Sequence, residues 1–90
     1  MARIDFENYV PVPFVIPAVN IADELFSKGL ECSIGGSNDV ELVEAHKWFN
    51  LSALKGNKEA LQYRQDIAEE LDQMQIAKAQ RAAREWTRLH

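Results

Sequence analysis

A single cysteine, Cys32, in 90 residues excludes an intrachain disulfide, so no framework of bridges can hold this small chain together. No run reaches the roughly 18–20 consecutive apolar residues that a membrane-spanning helix needs. Charge of one sign is scarce as well: 14 acidic against 10 basic side chains leave a net −4. That excess implies neither polyanionic disorder nor bulk attraction to nucleic acid. No secretory signal is legible near Met1, because Asp5 and Glu7 precede the apolar stretch and Pro11, Pro13 and Pro17 break it. The expectation is one soluble domain in a reducing, cytoplasmic setting, with a core drawn from the 47% of residues that are apolar.

The prolines also exclude a helix over residues 1–19, since each lacks an amide donor and pushes its predecessor toward extended geometry. Yet Tyr9 to Val19 is apolar without interruption. The segment therefore reads as an extended arm that must lie on something, because a free strip of that kind exceeds what a soluble monomer normally exposes. Val10, Val12, Phe14, Val15 and Ile16 are the residues expected to make that contact. The arm either folds back on its own domain as a cap or crosses onto a second copy or another protein.

From residue 20 to residue 90 the pattern is helical, in four segments near 20–33, 39–55, 58–71 and 73–89. Asn20 offers an N-cap, with Asp23 and Glu24 in the first turn where the helix dipole favours negative charge. Ala22, Leu25, Phe26 and Gly29 share one face. Gly35-Gly36-Ser37-Asn38 is read as a loop, with Asp39 as the cap of the second helix. Leu42, Ala45, Trp48, Phe49 and Ser52 recur at helical spacing, and Gly56-Asn57 supplies a left-handed stop. Ala60, Tyr63, Ile67 and Leu71 form the third stripe. Asp72 caps a fourth helix striped by Ile76, Ala79, Ala83, Trp86 and Leu89. The core is expected to hold Leu25, Phe26, Leu30, Leu42, Ala45, Trp48, Phe49, Ala60, Tyr63, Ile67, Ile76, Ala83 and Trp86.

Self-comparison adds a period. A shift of 38 residues lays Ala45-x-x-Trp48-x-x-Leu51 onto Ala83-x-x-Trp86-x-x-Leu89, and Ala22 onto Ala60. Matches at one offset, in phase with the helix starts, point to a duplicated helix–turn–helix unit. A small alanine lets a neighbouring helix approach, and each tryptophan can fill the groove between hairpins.

Those residues carry a resemblance. Leu25-Phe26-Ser27-Lys28-Gly29-Leu30, the Gly35-Gly36 loop, Val43 through Ala53 with Ala45-x-x-Trp48, and Gly56-Asn57 with Glu59-Ala60 resemble a Sel1-like repeat, a tetratricopeptide-like helical hairpin. The match spans Ala22 to about Ala60 as one complete repeat, and Lys58 to Leu89 as a degenerate second. Gln75 to Trp86 resembles the closing helix found after such repeats in bacterial proteins. The resemblance implies an all-α, two-hairpin solenoid fragment behind the arm, and protein–protein scaffolding without shared catalytic residues.

Few residues suggest other chemistry. Cys32 and His46 are on neighbouring helices, but neither a second cysteine nor further ligands accompany them. Cys32 reads as a small packing residue and His46 as lying at the edge of the buried stripe. Asp66, Glu69 and Glu70 read as the solvated face of their helix, because acid–base work needs a cleft that separates their pKa values. Gly35-Gly36 lacks the strand and the Lys-Ser/Thr of a phosphate loop. Lys78, Arg81, Arg84 and Arg88 give the last helix a basic face, with Glu85 placed to pair within the helix.

The function expected is a non-enzymatic interaction module, a cytoplasmic bacterial adaptor that binds a protein segment. It has no catalytic residue, cofactor or metal ligand, and no membrane contact. The alternatives are a structural subunit self-associating through the arm, as a homodimer, or a nucleic-acid-binding regulator working through the basic face.

Overall fold

Side-chain caps set where the helices begin. In the computed structural model, which describes residues 20–35 and 38–90, they are α1 (Ile21–Gly35), α2 (Asp39–Leu54), α3 (Glu59–Ala68) and α4 (Gln73–Leu89). The expected arm, with Val10, Val12, Phe14, Val15 and Ile16, lies outside the described residues, as do Gly36 and Ser37. Among the described residues the chain is all-helical, as the spacing of its apolar residues predicts. The Asn20 side chain accepts the Ala22 amide at 2.9 Å and starts α1. At α4, Asp72 accepts the Gln75 amide at 2.8 Å while Gln75 accepts the Asp72 amide at 2.9 Å, a reciprocal capping box.

Three boundaries differ from the sequence reading, the first being the end of α1, which runs on through Gly35, a residue assigned to the loop. The cap of α2 is Asn38 and not Asp39: Asn38 has extended backbone, and its side-chain oxygen Oδ1 accepts the Glu41 amide at 2.9 Å. Asp39 becomes the first helical residue, where its carboxylate still meets the positive end of the helix dipole. The third helix stops at Ala68 and not at Leu71. Asp72 needs extended backbone to cap α4, so residues 69–71 turn, with Glu70 and Leu71 donating to Ile67 and Ala68.

The end of α2 fits expectation. Gly56 has φ +116°, a backbone conformation that costs glycine little. Around it the Gly56 amide donates to Ala53 and the Asn57 amide to Ser52, which closes the last turn. The Asn57 side chain then works in two directions. Its side-chain oxygen accepts the Ala60 amide at 3.1 Å and starts α3, while its nitrogen donates to Asp23 of α1 at 3.2 Å.

Helix α2 is the centre of the molecule. α1, α3 and α4 all pack on it, and α3 and α4 touch each other far less. Hence α2 buries residues around most of its circumference: Val43, Ala45, His46, Phe49, Leu51 and Ser52. α1 and α2 form the tightest pair. Ser52 Oγ donates to the Ala22 carbonyl at 2.6 Å, and buried Gly29 meets the Phe49 ring. Phe49, Phe26 and Tyr63 pack with ring centroids 5.1–5.6 Å apart and join α1, α2 and α3. Full burial of Phe49 contributes about 1.5–3 kcal/mol.

The second cluster joins Leu25, Leu51 and Ala83 with Trp48 and Trp86 against them. The two rings meet edge to face, centroids 6.2 Å apart. The offset of 38 thus brings its two tryptophans together across α2 and α4. It fails at the third position of the motif: Leu51 is fully buried, whereas Leu89 is 68% exposed. α2 is enclosed by three helices, and α4 is an outer one.

The core departs from expectation at a few residues. Tyr63 keeps its ring contacts but is exposed, because α3 is an outer helix. Phe26, Leu30, Leu42, Trp48, Ile76 and Trp86 are half-buried. Val43 and Leu51 are buried although the stripe assigned to one face of α2 omits them, since that helix is packed on several sides.

Candidate interaction surface

Packing α4 on α2 leaves two open grooves between them. One, of about 250 Å³, is lined by Asn50, Leu54, Ala83, Arg84 and Thr87. The other, of about 260 Å³, is lined by Asp39, Val40, Val43, Glu44, Gln75 and Lys78. The first joins the C-terminal halves of the two helices and the second their N-terminal ends, so α2 and α4 run in the same direction.

In the first groove Leu54 is 71% exposed beside fully covered Ala83, with Asn50 and Thr87 supplying polar groups. Asn50 is held from behind: the Arg64 guanidinium of α3 donates to its side-chain oxygen at 2.7 Å. Arg84 stands exposed at the edge. The result is a shallow apolar floor with a fixed amide and a cationic rim. Its volume is below the roughly 300–1,000 Å³ usual for small-molecule sites, and it is open to solvent.

The four basic residues singled out from the sequence all lie on α4, three or four residues apart. All are exposed, but Lys78 lines one groove and Arg84 the other. Arg88 is ion-paired with Glu85, one turn away. A different cationic cluster surrounds Trp48: Lys47 Nζ lies 4.0 Å and Lys28 Nζ 5.4 Å from its ring centroid. Lys47 is also 3.0 Å from Glu44. Such contacts stabilise by about 0.5–1 kcal/mol each where water reaches them.

Cys32 is half-buried against the main core cluster, in keeping with a packing role. Burial, then the nearby Glu44 and Glu41 carboxylates, push its thiol above the usual value, so thiolate is disfavoured there. His46 does not lie at the edge of a stripe: it is 3% exposed, enclosed because α2 is packed on several sides. Burial, then Arg64, hold its pKa below the ordinary 6.5. Asp66, Glu69 and Glu70 are exposed, and Asp66 accepts from Gln62 at 3.0 Å within α3. Among the described residues no three His, Cys, Asp or Glu side chains come close enough to hold a metal ion, and no helix is long and apolar enough to cross a membrane.

Asn50, Leu54 and Thr87 were not marked by the sequence. Asn50 sits between residues of a core stripe and Leu54 just beyond its end, and only the approach of α4 gives them a shared surface. Comparison with family models, curated proteins and solved structures returned no match.

Proposed function

We propose that the chain is a non-enzymatic protein–protein interaction module of Sel1-like repeat type, an adaptor working in a bacterial cytoplasm. The family, the adaptor role and the bacterial setting rest on the resemblance carried by Leu25 to Leu30 and Val43 to Ala60. What supports a binding role is the groove between α2 and α4, where Leu54 stays 71% exposed above a rigid helical floor. Its occupant is an extended segment of another protein, with a small apolar side chain against Leu54 and Ala83 and an acidic group toward Arg84. Charge complementarity favours that partner, because Arg84 is exposed at the rim and Arg64 stands behind Asn50. Affinity then comes from a few anchors rather than from area.

A photo-crosslinking residue placed at Leu54 in the native host, compared with one at exposed Gln62 on α3, tests this. A protein captured from Leu54 alone, and lost when Arg84→Glu is added, supports the reading. The same capture from both positions, or none from Leu54, overturns it.

A further inference from the structure

His46 is a buried polar side chain that the groove does not use. Its Nδ1 has no hydrogen-bond partner among the described residues, although the residue is 3% exposed. It lies on α2 one turn before Asn50, on the same face, and Asn50 is the residue that Arg64 of α3 binds at 2.7 Å. Arg64 is the charge that acts on the ring. The acidic groups of α3 and the turn after it (Glu59, Asp66, Glu69, Glu70) and of α1 (Asp23, Glu24, Glu31) are exposed. On α2, Glu44 and Lys47 pair with each other, and Lys47 covers Trp48. On α1, Lys28 reaches the same tryptophan. α4 turns Ala79 and Ala83 inward and leaves Lys78, Arg81 and Arg84 exposed. Among the described residues no carboxylate is positioned to offset a positive charge on His46.

We propose that His46 is an acid-triggered latch: protonating its enclosed ring sets a second positive charge beside Arg64 and frees α3 from α2 while α1 stays docked. Helix α3 is the element such a charge would release. It has ten residues, buries only Ala60 and Ile67, and packs mainly on α2 with little help from α4. α1, in contrast, is held by the Ser52–Ala22 bond and by Gly29 against Phe49, on another side of α2. Because burial and Arg64 oppose protonation in the folded state, the unfolded chain binds more protons. The stabilisation is complete above pH 6.5 and is lost as pH falls through that value toward the folded one. The latch stands whether or not the groove binds a partner.

Amide hydrogen exchange on the full chain at pH 7.5 and 5.5, corrected for the intrinsic pH dependence, tests it. Protection in residues 59–68 is expected to fall several-fold at the lower pH, with α1 and its contacts on α2 unchanged. His46→Phe is expected to abolish that fall, and Arg64→Gln to reduce it. An equal acid loss in His46→Phe, or a loss spread evenly over all four helices, overturns the latch. Should His46→Phe fail to fold, NMR titration of the unaltered chain decides: the ring must titrate below the ordinary 6.5, with α3 amides shifting in the same step, and titration at or above 6.5 sinks the proposal.

Discussion

At Gly29 an added β-carbon would stand 2.6 Å from Cε1 of Phe49, closer than such atoms approach. Phe49 cannot easily yield, because it is fully buried and bounded by the Phe26 and Tyr63 rings. Gly29→Ala gains up to about 1 kcal/mol of helix propensity but incurs an overpacking penalty of about 1–3 kcal/mol. Net destabilisation is expected, read as a lower urea midpoint with unchanged slope; a rise in the midpoint would show that Phe49 can move. Ser52 is the opposite case, a polar group made acceptable in the core by one short bond to the Ala22 carbonyl. Ser52→Ala should lose about 1–2 kcal/mol, since the carbonyl is then left without that donor. Chemical denaturation checks this, and an unchanged midpoint would mean that water replaces the hydroxyl.

At the scale of the helix, the caps carry the most local information. Asp72 and Gln75 satisfy each other's backbone at the start of α4, and Asp72→Ala is expected to cost about 1 kcal/mol. Faster amide exchange in the first turn of α4, with α1 unaffected, is the signature to measure. The existence of all four helices, the Asn20 and Asp72 caps and the Gly56 stop were legible in the sequence, because each depends on residues within four positions of one another. The Asn38 cap and the early end of α3 were not. The first turns on which of two adjacent residues that can both cap takes extended backbone, and the second on the three residues of turn that precede extended Asp72. His46 was misjudged for a related reason: one stripe was assigned to α2, but a helix enclosed by three others has several. The groove was likewise hidden, as Asn50 and Thr87 are distant in sequence and meet only through the parallel approach of α4.

At the scale of the whole molecule, the chain reads as a hub with three attachments. Ile67 of α3 belongs to the cluster with Phe49 and Leu71, while Trp86 of α4 belongs to the cluster with Leu25 and Leu51. The Trp48–Trp86 pair is what holds the far half of α4. Trp86→Phe should therefore shift Trp48 fluorescence and lower the thermal midpoint, whereas a spectrum unchanged apart from the lost indole would deny the ring contact.

Since Ile67 of α3 and Trp86 of α4 belong to different clusters on α2, their energetic effects should be independent. Ile67→Val and Trp86→Phe, combined in one chain, are expected to sum within about 0.3–0.5 kcal/mol in a double-mutant cycle. The same separateness leaves natural variation at Ile67 free to accumulate without compensation at Trp86. Only changes along the central rod would oblige every neighbour to adjust.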